Sequence, residues 1–384
     1  VQVRNFSSLV ISSTSFRKSL DQYRTPATGL GAKLELRPPV GSGHELRLGA
    51  DWRLGTGRTQ ETAYNAGTGA VTVRRRAGGR NSDLGLYLED TLTLGTLEVT
   101  GGLRADRWTV SRGSYAETNA AGTPTLTNLF ADRSGWEASW RGGARWQLAP
   151  VVALRGAAYT GLRQPTLNEL YRPFAVFPVT TRANAALRNE DLLGYEAGID
   201  LNLGGDIRIG ATLFDNKVRH AIANVTIGTN LRERRNVDAI RSRGAELDLA
   251  VPLGALRFDG SLALIDAKVR ASGASAALDG KRPAQVPRIA ASATLAWTPA
   301  PGWLVAGTLR HTGVQFEDDL QTDRLPAATT FDAVVRIPLG KRLTVVLRGE
   351  NLTDETVVTR NQGGSIDYGT PRTLWAGVSV AIGR

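Results

Sequence analysis

Trp136-Glu137-Ala138-Ser139-Trp140-Arg141-Gly142-Gly143-Ala144-Arg145-Trp146-Gln147-Leu148 sets out two unlike faces in strict alternation. Trp136, Ala138, Trp140, Gly142, Ala144, Trp146 and Leu148 fall on one face; Glu137, Ser139, Arg141, Gly143, Arg145 and Gln147 fall on the other. A period of two belongs to a strand, whose successive side chains leave a pleated backbone on opposite sides; a helix repeats every ~3.6 residues. The polar face carries charges of both signs beside Gly and Ser, so it faces water.

The pattern recurs along the chain. Leu46, Leu48, Ala50, Trp52 and Leu54 alternate with Arg47, Gly49, Asp51 and Arg53. Tyr195, Ala197, Ile199, Leu201 and Leu203 alternate with Glu196, Gly198, Asp200 and Asn202. Phe331, Ala333, Val335, Ile337 and Leu339 alternate with Asp332, Val334, Arg336 and Pro338. Strands of soluble sandwiches usually run to about five or six residues. These run to about ten or more, the length that crosses a bilayer at a tilt. The apolar face is then the lipid face. Trp52, Trp136, Trp146, Trp297, Trp303 and Trp375 lie near segment ends, where aromatic side chains meet the membrane–water boundary.

Sixteen strands are expected, at 5–16, 28–37, 44–57, 82–94, 96–111, 134–148, 151–162, 191–203, 205–217, 235–251, 254–268, 287–299, 302–313, 327–339, 341–351 and 372–383. Short turns are expected at Pro38–Gly43, Leu94–Thr96, Leu148–Val151, Leu203–Asp206, Val251–Ala255, Thr298–Gly302 and Pro338–Lys341. Long polar loops alternate with them, near 17–27, 58–81, 112–133, 163–190, 218–234, 269–286, 314–326 and 352–371. Short turns on one side and long loops on the other is the layout of an outer-membrane barrel, with the turns in the periplasm. Both termini are then periplasmic and all eight long loops are outside.

Composition narrows the classes. The chain has 384 residues, 41% of them hydrophobic, with no apolar run of about 18 residues that would make a membrane helix. Cys and Met are absent, so disulfides and thiolate metal sites are excluded. The net charge of +11 raises nucleic-acid binding, but the arginines stand singly between apolar residues along strands, so no nucleic-acid partner is expected. No linker or composition shift divides residues 1–384, which are expected to form one barrel domain. The chain opens at Val1 without an initiator Met, a basic n-region or an apolar h-region, as a mature chain or a fragment does.

Chemistry is poorly represented. His44, His220 and His311 are far apart, and no H-E-x-x-H, G-x-S-x-G, P-loop or dinucleotide fingerprint is present. No catalytic residue, metal site or cofactor is expected, and the chain is not expected to be an enzyme. A hydrolase site at the outer rim, built on His220 or His311, is the alternative; it would need a Ser or Asp within hydrogen-bond reach of either ring.

One segment is more specific. Gly161-Leu162-Arg163-Gln164-Pro165-Thr166-Leu167-Asn168-Glu169-Leu170-Tyr171-Arg172-Pro173-Phe174 is a strand end followed by a Pro-bounded polar stretch, in which Pro165 stops the ladder for want of an N–H. It resembles the FRxPTLNELY stretch of TonB-dependent receptors. Asn184-Ala185-Ala186-Leu187-Arg188-Asn189-Glu190 and Tyr195-Glu196-Ala197-Gly198 stand where that family has an NPxLxPE loop and an E.G strand, without the usual prolines. Phe214-Asp215-Asn216-Lys217 with Ile222, and Asn236 with Arg243-Gly244-Ala245-Glu246-Leu247, resemble the strands that enter and leave an outer loop. Gly280-Lys281-Arg282-Pro283 with Val286-Pro287-Arg288, and Glu350-Asn351-Leu352-Thr353-Asp354 with Gly369-Thr370-Pro371-Arg372, resemble its late strand entry and its ENLxD…GxPR ending. These pieces occur in order over 160–384; the stretch from Gly85 to Trp108 is a looser match.

The resemblance implies an all-β, antiparallel, up-and-down transmembrane β-barrel. The chain is expected to supply about 16 strands of a wall that has about 22 in outer-membrane transporters. The family's N-terminal plug, with its TonB-contacting box, and the first strands are expected to be absent. The implied function is uptake of a scarce nutrient complex, a ferric siderophore or cobalamin-like ligand, with outer-membrane lipid, the TonB complex and that small molecule as partners. Outer-loop candidates for ligand contact are Arg75, Arg163, Glu169, Tyr171, Arg172, Arg234 and Arg235. The groups Arg74-Arg75-Arg76 with Arg80, and Arg232, Arg234 and Arg235, fit two anions equally by charge: a ligand, or the phosphates of the outer-leaflet lipid, which is preferred. Lumen arginines such as Arg47, Arg141, Arg145, Arg155 and Arg336 are expected to pair with inward carboxylates. The alternative function is a passive sixteen-stranded porin.

Overall fold

A computed structural model describes residues 2–12, 15–176, 178–362 and 364–382. Sixteen wall strands run in chain order: Gln2–Ile11, Lys18–Leu36, His44–Tyr64, Val71–Leu94, Leu97–Asn119, Arg133–Ala149, Val152–Arg163, Glu190–Leu203, Ile207–Arg219, Ala239–Leu253, Leu256–Arg270, Ile289–Trp297, Leu304–Thr312, Ala328–Leu339, Leu343–Glu350 and Thr373–Val380. Each pairs antiparallel with its sequence neighbours in the wall. Among the described residues, no ladder joins the first strand to the last. Pro124–Leu129 is an extra short strand paired with Leu97–Asn119. The expected up-and-down antiparallel wall is therefore present, with its expected strand number.

The faces sort as the alternation requires. Trp136, Trp140, Trp146 and Leu148 stay 59%, 42%, 46% and 51% exposed, a fraction that suits a surface bathed in lipid and would be costly in water. Trp297, Trp303 and Trp375 are exposed as well, and Trp52 donates its indole N–H to Ser82 at 3.0 Å. The opposite face is a web of charge. Arg104 meets Asp51 and Asp106, each at 2.6 Å; Arg155 meets Asp200 at 3.2 Å; and Glu89 takes both Arg47, at 3.5 Å, and Arg141. Arg145 instead donates to the Gln147 side chain at 2.9 Å, and Arg336 sits in register between Leu304 and Val346.

Three expected loops are largely strand. His44–Tyr64, Val71–Leu94 and Leu97–Asn119 have 21, 24 and 23 residues, and absorb most of 58–81 and part of 112–133. Lys18–Leu36 absorbs most of 17–27. Apolar alternation ends where lipid ends, but the backbone ladder does not. Above the belt, cross-strand polar pairs replace apolar ones, as where Arg75 faces Glu61 on one side and Glu117 on the other.

Most buried apolar residues gather at the long-loop end of the barrel rather than along the wall. One cluster joins Ala221, Val225, Val237, Val269, Ala271 and Leu278; another joins Val110, Leu170, Tyr171 and Leu187. Both form where loop segments fold against the mouth of the barrel.

Candidate functional site

The 164–189 segment turns inward from the wall. Pro165 ends the ladder of Val152–Arg163, and Thr166 then caps a one-turn helix, Leu167–Tyr171. The cap is reciprocal: the Glu169 amide donates to Thr166 Oγ1 at 3.2 Å, and the Thr166 amide donates to Glu169 Oε2 at 2.7 Å. Arg163 ties this turn to the wall. Its guanidinium donates to both Glu169 oxygens, at 3.1 and 3.2 Å, and to Glu190 at the start of the returning strand. Glu190 also accepts the Ile222 amide at 2.6 Å. Burial raises the Glu169 carboxyl, but Arg163 and the Thr166 amide outweigh it and hold the group below its ordinary value of 4.5.

The helix lies across the inner face of the wall. Leu167 rests 3.8 Å from where a Cβ on Gly57 would stand. A Cβ on Gly79 would meet Tyr171 at 3.0 Å, and one on Gly113 would meet it at 2.3 Å. These glycines, on three successive strands, clear a flat patch that the helix fills. Leu170 and Tyr171 are 1% and 2% exposed, and the Tyr171 ring stacks on Phe130 at 4.9 Å.

A chain of charges latches the far end. Arg172 donates to Glu61 at 2.9 Å; Glu61, 4% exposed, lies 3.7 Å from Arg75; and Arg75 donates to Glu117 at 3.0 Å, which also accepts the Tyr115 hydroxyl. Arg234 approaches from a four-stranded loop sheet made of Phe174–Val176, Val179–Arg182, Ile222–Gly228 and Leu231–Asn236. It donates to the Asn168 carbonyl and, at 3.2 Å, to the Arg172 carbonyl, closing the end of the helix. Its guanidinium also stands 4.9 Å from the Phe174 ring centre. Burial pushes its pKa down, though an arginine keeps its charge at neutral pH.

The residues named from sequence thus meet unequally. Arg163, Glu169, Tyr171, Arg172 and Arg234 form one connected body with Arg75. Arg235 lies on the other face of its strand, with Glu233 at 2.5 Å. Tyr171 and Arg234 are buried, whereas Arg163 keeps 45% of its side chain exposed, and Arg75 and Arg235 keep 31% each. Glu61, Glu117, Tyr115, Gly79 and Gly113 were missed because they stand in stretches expected to be loops, and Gly57 because it closes an expected strand with nothing local to mark what it faces. Thr59, Glu61 and Ala63 continue the inward file of their strand past the last outward leucine, but Arg58, Gln60 and Thr62 opposite them give no apolar file to mark it. A cavity of about 490 Å³ lies between the helix and the first strands, lined by Arg4, Gln22, Thr25, Thr59, Asn168 and Arg172. His220 lies 3.1 Å from Asp191 and His311 lies 2.8 Å from Thr329.

Comparison with known proteins agrees with this architecture. Residues 2–352 match the family described as "TonB dependent receptor-like, beta-barrel". The chain is similar to the metal-pseudopaline receptor CntO of Pseudomonas aeruginosa, with 29% identity over 202 residues, 51% of this chain and 28% of that protein. Its fold is similar to the ferric yersiniabactin uptake receptor FyuA from Yersinia pestis, with a TM-score of 0.77, 15% identity, and coverage of 98% of this chain and 57% of that one. It is also similar to the ferric-catecholate import receptor Fiu from E. coli K12 in its closed form, with a TM-score of 0.72, 17% identity, and coverage of 98% and 60%. The chain therefore spans little more than half the length of these structures and about a quarter of the curated relative.

Proposed function

The chain belongs to the TonB-dependent receptor β-barrel family, a family of outer-membrane receptors and transporters, and on that premise we propose that it is the wall and mouth of a receptor that takes up a metal chelate such as a ferric siderophore. The observation that carries this reading is the latched segment in the mouth. The 164–189 segment folds inward at the mouth, packs against the inner face of the wall, and is held there by Arg163, Arg172 and Arg234. Arg163, Arg75 and Arg235 keep part of their side chains exposed at the mouth while paired with carboxylates, and would contact an anionic chelate through guanidinium N–H groups that those pairs leave free. Glu169, Tyr171, Arg172 and Arg234 form the rigid floor beneath them. Energy would come from the TonB complex, acting through a plug. The long loops face outward and the termini face the periplasm. A metal chelate is favoured over other cargo because the similar proteins are named for metal-pseudopaline, ferric yersiniabactin and ferric-catecholate. A passive sixteen-stranded pore would need its first and last strands joined, and the described residues make no such ladder.

The test is uptake of radiolabelled iron and zinc, offered with a panel of chelators, by metal-starved cells whose only receptor is the full-length protein. One chelate should be taken up, and a protonophore or loss of TonB should abolish it. Uptake that continues at the same rate without TonB would replace the receptor with a channel.

A further inference from the structure

We propose that a glycine-floored groove at the short-turn end of the wall binds one phospholipid with a primary ammonium headgroup, phosphatidylethanolamine, through Asp90. Along Val71–Leu94 the outward file reads Leu84, Leu86, Leu88, Asp90, Leu92, Leu94. The opposite file fixes this direction: a Cβ on Gly85 would meet Arg104, and Glu89 takes Arg47 and Arg141 in the lumen. Leu84, Leu86, Leu88 and Leu94 are exposed, as lipid-facing residues are. A carboxylate among them costs free energy unless polar groups meet it. One does: Asp90 Oδ2 lies 2.7 Å from Nδ1 of His44, the first residue of the neighbouring strand. Asp90 Oδ1 is shielded and has no hydrogen-bond partner among the described residues. One acceptor is left unmet on the lipid side.

The register sets bare backbone beside that carboxylate. Asp90 pairs with Gly101, Gly101 with Gly142, and Gly142 with Ala158. This row faces outward, because the positions next to it face the lumen: a Cβ on Gly102 would meet Arg141 and Glu89, and the Tyr159 hydroxyl donates to Glu196. A Cβ on Gly101 or Gly142 would find nothing within 4 Å. Leu88, Leu103 and Trp140 form the next outward row, and stay 43%, 63% and 42% exposed. Between the rows lies a groove of about 480 Å³, lined by Leu46, Leu88, Asp90, Gly101, Leu103 and Trp140. Wall strands tilt by about 35–45°, so the row climbs the barrel obliquely. Leu46, which pairs with Asp90, is the third residue of its strand after a short turn; Tyr195, which pairs with Ala158, is the sixth of its strand after a long loop. The groove thus starts at Asp90, near the short-turn boundary, and runs up into the hydrocarbon.

Charge selects the occupant. A headgroup ammonium donates to Asp90 Oδ1 in a charge-assisted hydrogen bond, while an acyl chain of the same molecule lies along Gly101 and Gly142. A lipid whose headgroup ends in hydroxyls brings its phosphate charge toward Asp90 with no cation between them. A bare hydrocarbon chain fills the floor but leaves the acceptor unmet. In the orientation proposed above, the site opens to the periplasmic leaflet. It lies on the other face of the wall from the latched segment, and does not rest on what the barrel carries.

The experiment titrates the full chain, folded in detergent, with phosphatidylethanolamine and with phosphatidylglycerol of identical acyl chains, and follows bound lipid by native mass spectrometry. One phosphatidylethanolamine should bind about five-fold tighter than phosphatidylglycerol, the upper end for a partly exposed ion pair. D90N keeps the shape of the side chain and should erase that preference. G101L lays a side chain along the floor and should weaken both lipids about ten-fold, the loss of roughly ten carbon–carbon contacts. A138L adds the same side chain at an exposed outward position beyond Trp140, and should change neither. If G101L fails to fold, judged by heat-modifiable gel mobility, G142L takes its place, and D90N decides the headgroup in either case. Equal binding of the two lipids to the unaltered chain overturns the proposal, as does a preference that survives D90N or an affinity that the groove-filling variant leaves unchanged. A dimer of the chain that the groove-filling variant dissolves overturns it too, since the groove would then hold a second copy.

Discussion

Single atoms decide how the lumen segment sits. A methyl group at Gly113 would stand 2.3 Å from the Tyr171 ring, which is buried and stacked and has nowhere to retreat. Gly113→Ala is expected to cost about 1–3 kcal/mol by overpacking and to free the 164–173 segment to limited proteolysis while the wall keeps its heat-modifiable gel shift. Gly142→Ala, where nothing lies within 4 Å of the new Cβ, should leave both unchanged. Glu61 is held by two arginines in a nearly waterless place. Glu61→Gln strips the latch of its central charge and should cost on the order of 3 kcal/mol, read as faster amide exchange in 165–173. Unaltered exchange there would show that the latch does not hold the segment. Glu169 supplies a pH dependence. Its folded value is depressed, so its contribution is complete above the unfolded value of 4.5 and is lost as pH falls from there through the folded value. Opening of the same segment, corrected for intrinsic exchange, should therefore rise below about pH 4.5, and Glu169→Gln should remove that rise.

At the scale of the element, what was legible followed from lipid. Every wall strand announced itself by outward apolar residues, because a bilayer enforces the alternation. The polar upper halves of His44–Tyr64, Val71–Leu94 and Leu97–Asn119 carried no such signal, since water tolerates any side chain on either face. Their strand character comes from neighbours remote in sequence, such as Glu61, Arg75 and Glu117, and pairing of that kind is not written locally. The candidate site was legible for the same reason only in part. Arg163 through Arg172 stood out as a compact motif, while Glu61 and the glycines that receive it lie over fifty residues upstream. If the tall hairpin is real ladder, amides in Arg58–Tyr64 and Val71–Gly79 should exchange orders of magnitude more slowly than those of the 65–70 turn. Equal, rapid exchange in both would return that region to loop.

The whole molecule separates three environments by side-chain class. Apolar residues face lipid, charges that are mostly paired line the lumen, and the buried apolar clusters lie under the loops at the mouth. Stability is correspondingly divided. The wall draws on its ladder and on the bilayer, whereas the mouth depends on a small core and a handful of ion pairs. Heating or mild denaturant should release the mouth first, so Trp108, packed in the mouth cluster, should respond before the gel shift of the barrel is lost. A single cooperative transition for both would mean that the mouth and the wall form one unit.

The glycine patch has a further consequence. The helix leaves its shadow on the wall as missing side chains, so its position is recorded twice, once in its own residues and once as a stencil on the strands behind it. A survey of substitutions confined to the inner wall would return that silhouette: darkest at Gly113, lighter at Gly79, and faint at Gly57, where alanine but nothing bulkier has room. It would outline the helix without altering one of its residues.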